Sequence, residues 1–214
     1  MDGYASRIKR STRLVIVSLA LAGAGVAAAA DDHGWIAGLS VGQAKLQDFR
    51  LPTTSADDTG TVVSVFGGYQ FTRYFSVAGG YVDLGDYSFQ GTSFGGYDWS
   101  MKIRGVQVSA IGSYPVLERV DLQGSVGVYR WHYKFHSAAD AFDPERNLSD
   151  NGYSPTLGIG VTIDIFSKRG SYLYLGWQRF FNVGNRNTVE NENDFNLFLV
   201  GAVYNFSKLM EGKK

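Results

Sequence analysis

The sequence predicts an all-β fold, an eight-stranded antiparallel up-and-down transmembrane β-barrel, on three observations. Beyond residue 30, large apolar residues alternate with small or polar ones in segment after segment; the connections between segments alternate short with long; and no later stretch holds 18 uninterrupted apolar residues, which excludes a spanning helix. Composition agrees: 27 Gly, 14 Phe, 13 Tyr and 4 Trp among 214 residues suit strands with tight turns and ring-covered faces. The absence of Cys excludes a disulfide scaffold, a Cys-based zinc finger and a thiol nucleophile, and 20 Lys+Arg against 20 Asp+Glu leave no basic footprint for nucleic acid.

Residues 1–30 read as a secretory signal peptide. Arg7, Lys9, Arg10 and Arg13 precede an apolar run from Leu14 to Ala22, and a small-residue tail ends at Ala28, Ala29 and Ala30 before Asp31. Removal of this segment takes away four basic residues and one acidic residue, so the exported chain is mildly acidic. The remaining divisions are a barrel domain at 31–206 and a short periplasmic tail at 207–214.

Eight runs follow in order. The first, 35–47, sets Trp35, Ala37, Leu39 and Val41 against Gly38, Ser40 and Gly42. The second, 61–71, sets Val63, Val65, Tyr69 and Phe71 against Ser64, Gly68 and Gln70. The third, 75–85, carries small Ala78 and Gly80 on its inward parity. The fourth, 99–113, places Gln107 and Ser109 there, and the fifth, 120–136, places Gln123. In the sixth, 152–166, Leu157, Ile159, Val161, Ile163 and Ile165 fall on one parity while Gly158, Gly160, Thr162 and Asp164 fall on the other. The seventh, 171–183, offers Tyr172, Tyr174, Gly176 and Gln178 to the interior, and the eighth, 193–206, ends on Tyr204 and Phe206.

Short connections at Thr72 to Tyr74, Tyr114 to Arg119 and Ser167 to Gly170 alternate with long ones at 48–60, 86–98, 137–151 and 184–192. Three tight turns and four long loops therefore lie at opposite ends of a meander. A soluble barrel shares this order, and facing discriminates between the two. The aliphatic parity is too bulky for an eight-stranded interior, so it faces lipid, and a lumen filled by polar Gln70, Gln107, Gln123, Asp164 and Gln178 is expected. Two aromatic girdles are also expected: Tyr69, Phe71, Tyr74, Phe75, Tyr114, Phe166, Tyr204 and Phe206 on the short-turn side, with Trp35, Trp99, Trp131 and Phe195 toward the long loops.

Two runs break parity. Trp99, Met101 and Ile103 conflict with Val106, Val108 and Ala110, and Leu122, Val126 and Val128 share the parity of Arg130, His132 and Lys134. Either a β-bulge near each break restores an outward apolar face, or the upper halves extend past the bilayer, where the facing rule relaxes.

The stretches Phe66 to Phe71 and Tyr74 to Gly85 resemble the second and third strands of the OmpA-like outer-membrane β-barrel family, including its opacity-type members. Gly127 to Trp131 and Gly176 to Phe180 resemble motifs of its fifth and seventh strands, and Gly201 to Phe206 resembles its closing strand. The resemblance covers about 35–206. It implies a bacterial outer-membrane location, membrane lipid and lipopolysaccharide as surroundings, a monomer, and a terminal Tyr204 and Phe206 read by the barrel-assembly machinery. Ala78 and Gly176 stand where many relatives carry an inward Glu, so an internal salt-bridge network is not carried over.

No enzyme chemistry, cofactor or metal is expected. His132 and His136 at i, i+4 on a strand are separated by about 13 Å, too far to share a metal. His136 and Ser137 point to opposite faces, and Gly158-x-Gly160 is followed by no helix, which removes a hydrolytic pair and a nucleotide loop. Acidic loop groups at Asp57 and Asp58, at Asp140, Asp143 and Glu145, and at Glu190, Glu192 and Asp194 read first as solvated, matching no calcium loop; the alternative is that they bind divalent cations bridging lipopolysaccharide. The functional expectation is a structural or surface-interaction role, adhesion-like, through four extracellular loops that could engage a ligand. The alternative is a narrow, porin-like channel for small solutes or ions.

Overall fold

A computed structural model describes residues 33–47, 55–56, 59–91, 97–137, 146–165, 170–184 and 193–207. Eight long strands form the barrel: β1 (Gly34–Gln47), β2 (Thr59–Thr72), β3 (Phe75–Gly91), β4 (Tyr97–Leu117), β5 (Val120–Ser137), β6 (Arg146–Asp164), β7 (Ser171–Val183) and β8 (Asn193–Asn205). A two-residue piece, Ser55–Ala56, pairs with the upper end of β3. Each strand runs antiparallel to its neighbours, and β1 pairs with both β2 and β8, so the sheet closes and leaves no long edge.

The register fixes the barrel's shape. Pairs followed once round run from Gln70 through Ser76, Ile111, Ser125, Gly158, Gln178, Leu197 and Ala44 to Gly60, which lies on the starting strand ten residues from Gln70. Eight strands with that stagger tilt about 40° from the axis and leave an interior that side chains can fill.

Outward residues divide every strand into two parts. Up to Val41, Val63, Tyr81, Val106, Val128, Leu157, Trp177 and Phe198 the outer face is apolar or glycine; beyond this line come Gln43, Thr61, Asp83, Arg104, Arg130, Arg179 and Asn196, and on β6 Asn151. The nine residues from Leu157 to Ile165, at about 3.3 Å each and with this tilt, give a band roughly 23 Å tall, matching the lipid-facing belt of such barrels. The interior inverts across the same line. Below it the inward residues include Ser40, Ser64, Ser76, Ser109, Thr156 and Thr162, all buried. Above it they include Ala44, Leu46, Val62, Val82, Leu84, Tyr87, Met101, Ile103, Tyr129, Trp131, Tyr133, Phe180, Val183, Phe195 and Leu197, a continuous apolar core.

This inversion accounts for both parity breaks. β4 and β5 pair without interruption from Trp99↔Ser137 to Pro115↔Asp121, so no bulge occurs near Gly105 or Tyr129. Met101 and Ile103 point inward, not outward as expected, while Lys102 and Arg104 take the outer face. The strands continue past the bilayer into water, where apolar residues pack inside the wall as in a soluble barrel. Register shifts do occur between Asp83 and Asp86, where Gly85 has φ +93° and its amide donates to Asp83 Oδ1 at 3.0 Å, and between Phe180 and Val183, around Asn182 with φ 53°. Both lie above the lipid band, where each lets a strand re-aim its side chains into the core.

Candidate functional site

The lumen has three storeys. At the short-turn end a cavity of about 120 Å³ is lined by Gln70, Arg73, Glu118, Arg119, Asp121, Gln123, Thr162, Asp164, Tyr172 and Asn205. Charge gathers here because the hairpin turns lie in water. Asn205 Nδ2 donates to Gln70 Oε1 at 2.9 Å, tying the closing strand to β2 across β1.

Above this mouth lies a second cavity of about 110 Å³, with Ser40, Ser64, Ala78, Ser109, Gln107, Ser125, Tyr174 and Gln178 in its wall; Ile36, Ser76, Gln123 and Val203 line both cavities. Its polar groups are neutral, and several bond one another or a neighbouring hydroxyl. The Ser40 and Ser64 hydroxyls bond at 2.7 Å, Gln107 Nε2 donates to Ser109 Oγ at 2.9 Å and to Thr156 Oγ1 at 3.2 Å, and Gln123 Nε2 donates to Ser113 Oγ at 3.4 Å. Among the described residues, no charged side chain lines this cavity. Carboxylates there would be desolvated without compensating cations, and neutral amides and hydroxyls avoid that cost.

The third storey is the apolar core. Tyr129 and Phe180 meet edge to face with centroids 4.9 Å apart, and Tyr87 and Phe195 lie 5.8 Å apart. The polar tips of Tyr129, Tyr87 and Trp131 have partners. Tyr129 donates its hydroxyl to Val82 O at 3.1 Å and Tyr87 to Leu84 O at 3.0 Å; Trp131 Nε1 donates to Ser154 Oγ, at 2.9 Å, which in turn donates to Asn182 O at 3.0 Å. The Asn182 bulge is held from outside by its own amide donating to Asp194 Oδ1 at 2.9 Å, while Arg179 bonds the other carboxylate oxygen at 2.7 Å. Rings and aliphatic chains thus pack the lumen at this level. Such a layer resists hydration, because water there would find almost no partners.

Gln107 and Gln178 line the upper cavity, Gln70 and Asp164 the lower, and Gln123 both. Around the short-turn end the outward rings form chains: Trp35 with Tyr69 at 5.3 Å, Tyr69 with Phe71 at 5.1 Å, Phe71 with Phe75 at 5.9 Å, and Tyr204 with Phe206 at 5.0 Å. Tyr74 and Tyr114 are exposed at the same end. Trp35 is a correction: it opens β1 beside Tyr69 and so belongs to the short-turn ring, not the upper one. Trp131 and Phe195 are corrections too, since both point inward, 3% and 0% exposed, and belong to the seal. Gly176 leaves no gap, because the Tyr174 ring covers it. The side chain of Trp99, all of Phe166 and the side chain of His136 lie outside the described residues, as do residues 1–32 and 208–214 and every acidic loop group except Asp194.

The seal itself escaped the sequence reading. Its signal was present in β5, where Val128 gives way to Arg130, His132 and Lys134 on one parity while Tyr129, Trp131 and Tyr133 fill the other.

Comparison with known proteins places this geometry. The OmpA-like transmembrane domain matches residues 29–209. Outer membrane protein A of Escherichia fergusonii is 30% identical over 204 residues, covering 91% of this chain and 55% of the relative, and that of Salmonella typhi is 29% identical over 198 residues with the same coverages. The chain thus spans about half the length of these curated relatives. Among solved structures, Neisserial surface protein A aligns with a TM-score of 0.53 at 12% identity, over 81% of this chain and 97% of that one, which is a likeness of fold alone. An eight-stranded, closed, outer-membrane barrel with this match over most of its length belongs to the OmpA-like transmembrane domain family.

Proposed function

We propose that this protein is a sealed, monomeric scaffold of the outer membrane whose four long connections face the cell exterior and carry a structural or surface-interaction role, adhesion-like in kind. In this reading residues 1–30 direct export and are removed, 207–214 form a periplasmic tail, and Tyr204 and Phe206 close the barrel and are read by the assembly machinery. The protein needs no catalysis or cofactor in such a role. The observation that carries it is the apolar layer around Tyr129, Phe180 and Phe195, which separates the cavities from the long-connection end.

The second reading, a narrow channel, draws on the two adjoining cavities of about 110 and 120 Å³. Planar-bilayer recording on the mature chain decides between them. The sealed scaffold gives no sustained conductance, or rare small steps; stable, frequent openings overturn it in favour of the channel. A protease or a membrane-impermeant label applied to intact cells tests the orientation, which requires the 138–145 connection to be reached from outside.

A further inference from the structure

Just past the lipid band, the outer face of β4 and β5 carries five basic side chains: Lys102 and Arg104 on β4, and Arg130, His132 and Lys134 on β5. The register sets Lys102 opposite Lys134, Arg104 opposite His132, and Val106 opposite Arg130. Arg130, His132 and Lys134 are exposed, and Lys102 and Arg104 are partly so. Like charges facing each other across a strand pair are unfavourable, yet this pairing runs unbroken.

Among the described outward side chains flanking this cluster, the acids lie on β3. Asp86 accepts from Lys102 Nζ at 2.8 Å, and Asp83 stands opposite Arg104. On the β6 side the outward neighbours are neutral Ser149, Asn151 and Tyr153, and the Arg130 guanidinium sits 5.8 Å from the Tyr153 ring centre. Elsewhere at this height the described wall carries Gln43, Thr61 and Asn196, the single cation Lys45 on β1, and Arg179 paired to Asp194. Positive charge is therefore concentrated on one flank at the level of the headgroups. Directly beneath it on the same two strands run the exposed side chains of Val106, Val108, Val126 and Val128.

We propose that Arg104, Arg130, His132 and Lys134 form a docking site for the phosphates of an outer-leaflet lipid, the lipid A part of lipopolysaccharide. A ligand matching this flank must be anionic above and apolar below, because the cations continue without a break into the aliphatic strip. That shape fits an acylated, phosphorylated lipid and leaves half of the strip unused by a soluble polyanion. Guanidinium forks can take phosphate oxygens two at a time, and the long Arg and Lys stems reach down to the interface while keeping their heads in the polar layer.

The site rests on the proposed orientation, in which this end faces the outer leaflet. The test therefore separates binding from orientation. Native mass spectrometry of the mature protein in detergent micelles containing bisphosphorylated or dephosphorylated lipid A needs no particular orientation. Wild type is expected to retain the bisphosphorylated form at least ~10-fold better, which requires no variant to fold; on the scale of affinities that is about 1.4 kcal/mol. Substituting Arg104→Gln, Arg130→Gln and Lys134→Gln together should remove this preference. Arg104→Lys with Arg130→Lys should keep most of it, and Lys45→Gln, on another flank, should leave it unchanged. Equal retention of the two lipids overturns the proposal. So does an unchanged preference in the folded triple variant, or a flank that holds a sulfated oligosaccharide in preference to lipid A. Orientation is read apart, by labelling Lys134→Cys on intact cells: absence of label overturns the outward orientation while leaving the micelle result in place.

Discussion

Tyr129 on β5 and Phe180 on β7 meet edge to face across the lumen, with ring centroids 4.9 Å apart and both side chains fully buried. They sit where the interior changes from hydroxyls and amides to rings. Phe180→Ala removes a large ring from a closed layer, which costs about 3–5 kcal/mol in a packed core. The expected result is a lower denaturant midpoint for refolded protein. Planar-bilayer recording of the Tyr129→Ala, Phe180→Ala double variant should show openings that wild type lacks. A double variant that remains folded and silent would place the seal at Phe195 and Tyr87 instead.

The architecture was legible because lipid imposes period-two alternation along every spanning segment. The expected run 171–183 coincides with β7, and 75–85, 99–113 and 152–166 all lie within or overlap longer strands. What was not legible was the change of solvent along one strand. In β4 the parity of Val106 and Val108 also carries Lys102 and Arg104, and a reader who assumes one outside medium must insert a bulge to explain it. The structure needs none, because outward means lipid at Val108 and water at Lys102. For the same reason Trp131 and Phe195 looked like interface rings: their type suited a girdle, and only their parity relative to Arg130 and Asp194 reveals that they face inward.

Facing on β6 can be tested at the middle of the band. Val161 is outward, while Thr162 is 6% exposed and lines the charged lower cavity with Asp164. Val161→Arg places a cation in hydrocarbon and should weaken folding into vesicles by about 2–4 kcal/mol. Thr162→Arg enters a polar cavity where Glu118, Asp121 and Asp164 outnumber Arg73 and Arg119, so its penalty should be smaller. Vesicle-folding titrations monitored in urea compare them, and equal or reversed penalties would mean that the inward and outward parities are exchanged.

Gly176 and Tyr174 make a second packing test. A Cβ at position 176 would collide with the Tyr174 hydroxyl and ring, which lie across the glycine on the inner wall. Gly176→Ala should therefore destabilise the barrel, while Tyr174→Phe with Gly176→Ala should recover part of the loss because the shortened ring relieves the closest contact. Overpacking of this kind costs about 1–3 kcal/mol. Urea midpoints of the single and double variants measure the coupling, and additive losses would show that the two positions do not share space.

Barrel closure depends on the last turn of β8. Tyr204 pairs with Ala37 on β1 and with Ser171 on β7, Asn205 pairs with Ile36, and the Phe206 amide donates to Trp35 O at 2.9 Å. Deleting 204–214 removes these bonds together with the link from Asn205 to Gln70 at 2.9 Å, and leaves the lower end of the β1 edge without its partner. Unpaired amides and carbonyls at the membrane interface are costly, and the Tyr204–Phe206 ring contact disappears with them. Deleting 207–214 spares every one of these contacts; among the described residues it removes the Ser207 bonds to Asn205 Oδ1. Heat-modifiable gel migration of protein recovered from outer membranes should therefore show the folded band for the shorter deletion and lose it for the longer. A normally shifted band after loss of 204–214 would mean that β8 closes the barrel through its upper residues alone.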